Sequence, residues 1–505
     1  MKKLLFILPV ALIVLTACPR KKDNLPDSPG STVVPIVSQF AYDGMSLYYL
    51  WADQMQNKKP TSAAKDPKAY FQTLLSDIDK KHRWSGITDN VDALLAGFSG
   101  TPTDFGWSLN FFLAQTAGQY VAIVKYVFPN TPASAANIIR GNIIDKIDGA
   151  AITANNYTKL FGSAPVSISV FDENYANGRT LSLTPVQITT NPILKDTLYE
   201  TNGRKIAYLF YTGFIDDFNN QLYNTFADFK ANGATDLIID LRYNHGGAIS
   251  AASYLASLFA PQPVVKNKSV FTILDYNSSL NAYFDQQGWQ RRNLLGAFKA
   301  NGTNPEQDPL NANLNMSKVY IIATDDSYSA SELITFCLKP YMEVVHVGDS
   351  TGGKFTGSWT LHAFDDKNER AITVYDAAKV SAADKNALKN WAMQPIVAIY
   401  KDKNGADFSG VGKLVPTVPV ATQENAPASY KPIGDTRDYL LAKTISLITG
   451  VPVSGIASTV PRSAYPLRVR SFTSESDRRS RQSVRLEKPE NFSFSKLAAY
   501  MRESN

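Results

Sequence analysis

The chain has 505 residues, of which 44% are hydrophobic and 19% charged, with a formal net charge of +6. This describes an ordinary globular protein with room for roughly three domains and an ample core. The charge is unevenly placed: from Arg462 to Asn505 ten Lys and Arg face five Asp and Glu, so +5 of the +6 sits in that tail. The body is nearly neutral and gives no reason to invoke nucleic acid.

Residues 1–17 read as a secretory signal. Lys2-Lys3 forms a positive start, residues 4–14 an apolar run too short to span a bilayer, and Leu15-Thr16-Ala17-Cys18 ends it. That ending resembles the bacterial lipoprotein box. The resemblance implies lipidation at Cys18, attachment to a membrane, and a place in the cell envelope facing the periplasm or the cell surface. A plain signal with a chance cysteine is the competing reading. Residues 18–35 follow as a flexible tether. The only other cysteine, Cys337, lies in an apolar helical face and reads as core, so no disulfide is expected.

Residues 36–100 form a helical N-terminal region. Ile36, Phe40, Leu47 and Trp51 fall near one helical face, and Asp66-Pro67 is a cap with proline at the first helical position. Between residues 101 and 190 the periodicity becomes strand-like, with a hairpin signal at Asn177-Gly178. The run from Pro132 through Arg140-Gly141-Asn142 to Gly149 is similar to the PDZ-domain signature of short helix, turn and strand, with Asn142 where Asp is usual. On that resemblance Phe105, Gly106, Trp107, Ser108 and Leu109 occupy the carboxylate-binding loop. The domain would then take an extended peptide as an added strand. A generic β-domain needs no such ligand.

Residues 204–450 alternate strand and helix, which predicts an α/β domain with a parallel-rich sheet and ligand groups on turns at the strand carboxyl ends. Ile206 to Tyr211 and Leu237 to Leu241 are buried strands, and Asp240-Leu241-Arg242-Tyr243-Asn244-His245-Gly246-Gly247 is the turn after the second. Residues 261–316 are Asn-rich and irregular, as in an insertion or mobile loop, and 461–505 read as a basic, disordered tail.

The chemistry concentrates between Ser327 and Lys354. A strand (Val319 to Ala323) leads into Ser327-Tyr328-Ser329-Ala330-Ser331-Glu332, then a helix, a β-branched strand, and Gly348-Asp349-Ser350-Thr351-Gly352-Gly353-Lys354. A serine opening a helix suits an acyl-transfer nucleophile. Ser-x-x-Glu is equally the capping-box pattern. Gly348 to Lys354 is also a near Walker A loop, but Phe355 stands where Ser or Thr should bind magnesium, and no helix follows.

Ser329-Ala330-Ser331-Glu332 followed 25 residues after Ser329 by Lys354 resembles the carboxyl-terminal processing (tail-specific) proteases, which use a serine–lysine pair. The resemblance implies Ser329 as nucleophile and Lys354 as general base, with Gly246, Gly247 and Ala330 lending amides to an oxyanion hole. A free lysine of pKa ~10.4 is almost wholly charged at neutral pH, so the role needs a desolvated, neutral amine, at roughly 4 kcal/mol. Glutamine is common in the family four residues after the lysine, where it orients the amine. This chain has Ser358 there, whose hydroxyl is the candidate for orienting the lysine.

His82, His245, His346 and His362 fall in no metal-ligand spacing, so neither a metal nor a cofactor is expected. The sequence therefore points to a lipid-anchored serine endopeptidase acting on proteins or peptides with extended C-termini. The alternative is a catalytically weak peptide-binding lipoprotein on the same scaffold.

Overall fold

The computed structural model describes residues 34–454, apart from 115, 303, 366–371, 422 and 425, and then residues 484–489 and 492–503. The signal segment, Cys18, nearly all of the tether, and residues 455–483 lie outside the described residues.

Four helices open the fold: α1 (Ile36–Tyr48), α2 (Pro67–Leu74), α3 (Asp77–His82) and α4 (Val91–Phe98). Asp66 caps α2 by accepting the Lys68 and Ala69 amides, and Pro67 fills a first-turn position that needs no donor. Phe40, Leu47, Phe71 and Leu74 are buried in the same hydrophobic core as the following α/β region, so the helices do not close a core of their own.

A six-stranded antiparallel sheet comes next: β1 (Trp107–Leu113), β2 (Gln119–Val127), β3 (Ile143–Ile147), β4 (Ala150–Thr153), β5 (Val166–Phe171) and β6 (Arg179–Leu183), in the order β1-β2-β4-β3-β5-β6. Asn177, with φ 54°, supplies the left-handed turn between β5 and β6. This unit has its own core around Phe105, Trp107, Phe111, Ile144 and Ile168. β1 is a sheet edge.

The α/β region runs β7 (Ile193–Thr201), β8 (Arg204–Tyr211), α5 (Asn219–Ala231), β9 (Asp236–Asp240), α6 (Ile249–Ser257), β10 (Val270–Tyr276), α7 (Ser278–Gln286), β11 (Arg292–Leu294), β12 (Lys318–Ala323), α8 (Ala330–Cys337), β13 (Glu343–Gly348), β14 (Thr356–Ser358), β15 (Ile396–Lys401), β16 (Val418–Pro419) and α9 (Tyr439–Thr449). Its main sheet is mixed, ordered β7-β8-β9-β12-β13-β16, with β7 antiparallel to β8 and the other neighbours parallel. Alternate residues of the central strands go to opposite cores. Ala207, Leu209, Leu237 and Ile321 face the large core with α6 and α8, while Tyr208, Phe210, Ile238 and Ile322 pack with Leu440, Leu441 and Ile445 of α9. Burial on both faces is why these strands read as continuous apolar runs.

Two expectations are corrected. Residues 261–316 are built into the fold, for β10 pairs with β11 and β15 in a second sheet, and Leu280, Tyr283 and Phe284 are buried. The asparagines there act as connectors: Asn277 accepts the Leu280 amide and donates to the Leu47 and Tyr49 carbonyls, and Asn313 donates to Ser257 and Ala260. The basic tail, read as disordered, also contributes structure within its described residues. β17 (Val484–Arg485) joins the second sheet beside β14, and α10 (Phe494–Glu503) follows. Phe492 and Leu497 are buried in the large core, and Phe492 packs against Tyr48, Tyr283 and Trp359. Composition does not register a few apolar residues spaced among charges.

Candidate active site

β9, β12 and β13 lie side by side and parallel, so the turns at their carboxyl ends converge. These turns carry Gly246-Gly247, Ser329 and Lys354 respectively.

The turn after β12 is fastened to the turn after β9. Ser327 Oγ donates to the Leu241 carbonyl at 2.7 Å, Thr324 Oγ1 to Arg242 at 2.6 Å, and Ser331 Oγ to Asn244 at 2.9 Å. The Tyr328 amide also donates to Asn244, at 3.1 Å. Beneath them Arg242 is buried between Asp240 and Asp438, its guanidinium bonded to both. The two serines flanking Ser329 are therefore occupied in structure. Ser329 Oγ is buried and has no hydrogen-bond partner among the described residues. Its backbone sits at φ 61°, ψ −112°, a conformation an L-residue adopts at a cost of about 1–3 kcal/mol.

Glu332, in the first turn of α8, ties this serine to the lysine loop. Its Oε2 accepts the amides of Ser329 (2.8 Å) and Lys354 (2.7 Å), while Oε1 accepts the Gly353 amide (2.7 Å) and the Thr351 hydroxyl (2.5 Å). Burial pushes the Glu332 carboxyl above the ordinary carboxylate range, although all four donors pull the other way. A second strut comes from β15, where the Tyr400 hydroxyl lies 3.2 Å from the Ser329 carbonyl and 3.0 Å from the Lys354 carbonyl. Lys354 is fully buried. The loop amides that a phosphate would need at Gly353 and Lys354 are thus already engaged, and the chain continues into strand β14. The Walker A reading is set aside on both grounds.

Gly246 presses against the serine. A Cβ on it would stand 2.7 Å from Ser329 Cβ and 3.0 Å from both Ser329 Oγ and the Ala330 amide nitrogen, and its φ is +104°. Only glycine permits that approach. The Gly246 amide donates to Asn244 Oδ1 at 2.8 Å. The amides of Gly247 and Ala330 have no acceptor among the described residues, so this pair is better placed to receive a developing oxyanion than Gly246.

Ser358 is buried on β14, and its hydroxyl has no partner among the described residues, so it does not hold Lys354 in this structure. Phe105, Trp107 and Leu109 are core residues, Ser108 lies on β1, and the Gly106 amide donates to Asp104 at 2.7 Å. That amide is consequently not presented to a carboxylate. His346 is buried and bonded to the Ala323 carbonyl, and burial lowers its pKa to about 4. Cys337 is buried and burial pushes its thiol pKa up, as suits a core residue. No group of three or more metal-binding side chains occurs among the described residues. No helix among them is long and apolar enough to cross a membrane.

Sequence reasoning missed two residues. The Ser-x-x-Glu pattern exposed Glu332 only as a cap, not as the acceptor for a loop arriving from another strand. Tyr400 lies in an ordinary apolar strand and carries no local signal.

Residues 205–399 match the model of peptidase family S41, and residues 37–86 match the peptidase S41 N-terminal domain. A carboxyl-terminal-processing protease of Picosynechococcus sp. is 26% identical over 234 residues, covering 45% of this chain and 49% of the relative. The chloroplastic carboxyl-terminal-processing peptidase 2 of Arabidopsis thaliana is 21% identical over 322 residues, covering 62% and 57%. The matches thus span about half the length of these curated relatives. The fold is shared with the crystal structure of an S41 protease from Bacteroides fragilis: TM-score 0.60, 21% identity, 82% of this chain and 97% of that one.

Proposed function

The chain belongs to peptidase family S41, and on that premise we propose that it is a serine endopeptidase with Ser329 as nucleophile and Lys354 as general base. The observation that carries this reading is the Ser329 hydroxyl: buried, without a partner among the described residues, at a strained turn against Gly246. Both neighbouring serines are spent on backbone carbonyls, so only Ser329 is poised for attack.

In the proposed cycle a neutral Lys354 Nζ takes the Ser329 proton as Oγ attacks the substrate carbonyl carbon. The oxyanion is held by the amides of Ala330 and Gly247, each donor contributing roughly 3 kcal/mol. The lysine then returns the proton to the departing amine, leaving an acyl-enzyme. Water, deprotonated by Lys354, releases the new carboxyl terminus. Glu332 and Tyr400 take no part in bond making; they fix the two turns relative to one another.

The antiparallel domain acts as a PDZ-like module in this account, adding an extended substrate C-terminus beside β1, the terminal strand of its sheet. The packing of Phe105 and Trp107 and the engaged Gly106 amide mean that such capture would depend on strand pairing more than on a carboxylate loop. Lipidation at Cys18 would hold the enzyme at a membrane of the cell envelope. One observation favours the second reading, a catalytically weak peptide-binding lipoprotein: Ser358 offers no bond to the lysine. A serine-reactive fluorophosphonate separates the two. The peptidase reading expects a covalent adduct at Ser329, mapped by mass spectrometry and absent from Lys354→Ala. An unlabelled Ser329 in the folded parent would favour the binder.

A further inference from the structure

The C-terminal segment crosses the candidate site as an extended strand. Val484 and Arg485 pair in parallel with Gly357 and Ser358, immediately after the lysine loop, and Arg485 also bridges to Ala248 on the opposite side. The Arg485 amide donates to the Gly247 carbonyl at 2.9 Å and the next amide, Leu486, to the Ser358 carbonyl at 3.0 Å. The strand is thus hydrogen-bonded along both edges. One wall is the turn whose Gly246 touches Ser329, and the other is the strand that Lys354 leads into.

Its side chains are received specifically. The Arg485 guanidinium meets Asp216 Oδ1 at 3.1 Å and lies 4.6 Å from the centre of the Phe98 ring. Lys299 Nζ holds the other oxygen of Asp216 at 2.7 Å. Burial works to raise the Asp216 carboxyl, but Arg485 and Lys299 outweigh it and hold it below its ordinary value. Leu486 is buried over Gly357, where a Cβ would stand 2.7 Å from the leucine Cδ1. Trp359 Nε1 donates to the Glu487 carbonyl at 3.3 Å. The segment is moored downstream by Phe492 and α10, while its described β17 portion is only two residues long. The ladder bonds, the Arg485 contacts, the Trp359 bond to a backbone carbonyl and the buried Leu486 are all contacts that a competing strand can replace in kind.

We propose that the channel between Gly247-Ala248 and Gly357-Ser358 is the strand-binding groove of the Ser329 site, that its Asp216–Phe98 corner takes a basic side chain and its Gly357 floor an apolar one, and that residues 484–487 fill it in cis as a displaceable inhibitor. What the groove delivers to Ser329 rests on the peptidase reading; the binding itself does not. The tail would lower activity until an extended substrate with a basic-then-apolar pair displaces it.

The test uses a fluorescein-labelled peptide with the sequence of residues 482–488 and the full chain carrying Val484→Gly, Arg485→Ser and Leu486→Gly, which keeps Phe492 and α10. Fluorescence anisotropy is expected to show at least about tenfold tighter binding to this variant than to the parent, because the intramolecular competitor is gone. The gain should vanish when the peptide arginine is replaced by glutamate, and shrink in a variant that adds Asp216→Asn. In the unaltered chain, saturating unlabelled peptide should speed hydrogen exchange of residues 484–487. Equal binding by parent and folded variant, or unchanged exchange at saturating peptide, would overturn the proposal and make β17 a fixed part of the fold. Should the triple variant fail to fold, the exchange measurement decides alone. Tighter peptide binding with no cleavage by either chain would keep the groove and reject the peptidase reading.

Discussion

The backbone amides of Ser329 and Lys354 converge on one atom, Oε2 of Glu332, at 2.8 and 2.7 Å. Two turns from different strands are thereby set against each other by a single buried carboxylate. Together with the Tyr400 hydroxyl, which reaches the carbonyls of the same two residues, this group ties Ser329 to Lys354.

Replacing that carboxylate is the sharpest probe of the arrangement. In Glu332→Gln an amide NH2 must face donors where an oxygen accepted them. The expected result is a loss of about 1–3 kcal/mol of stability and a fall in kcat on the order of 10- to 100-fold with little change in KM. Chemical denaturation and steady-state cleavage kinetics measure the two effects.

Tyr400→Phe removes the hydroxyl that touches the carbonyls of both Ser329 and Lys354. The ring stays packed, so stability should fall by only about 1 kcal/mol, while kcat should drop several-fold. A variant with full kcat would show that Glu332 positions the turns unaided.

Gly246→Ala places a methyl 2.7 Å from Ser329 Cβ at a φ of +104°. Activity should disappear, with the backbone conformation adding about 1–3 kcal/mol of destabilisation. Retained fold by circular dichroism with lost turnover is the expected pair of results.

His346 sets an acid limit on stability. Its ordinary pKa of 6.5 falls to about 4 in the fold because burial disfavours the charged ring. Above pH 6.5 the ring is neutral folded or unfolded and costs nothing. As pH falls from 6.5 towards 4 the unfolded chain takes up a proton that the folded chain refuses, so stability should decline by about 3 kcal/mol and then level off. Urea unfolding at several pH values should show this slope in the parent and a shallower one in His346→Gln.

Much of the site was legible because it is local. Ser329 and Lys354 sit on one continuous strand–helix–strand stretch, and β-branched and apolar runs marked its elements. Ser-x-x-Glu even marked Glu332, and its capping of the Ser329 amide does not occupy the Ser329 hydroxyl. What was hidden arrives through tertiary contact. Tyr400 reaches the site across a sheet, Asn244 withdraws the Gly246 amide, and Arg485 returns from the far end of a basic tail by backbone pairing that no side-chain pattern announces. Asn277 and Asn313 misled for the same reason: the carbonyls their side-chain amides reach lie more than forty positions away, at Leu47, Tyr49, Ser257 and Ala260.

The central claim is tested most directly by cleavage of an unstructured protein with an apolar C-terminus, comparing the chain from Pro19 onward with Ser329→Ala and Lys354→Ala. The account predicts cleavage by the parent and none by either variant, with all three folded. Parent binding without cleavage, or cleavage that survives either substitution, would contradict a Ser329–Lys354 peptidase.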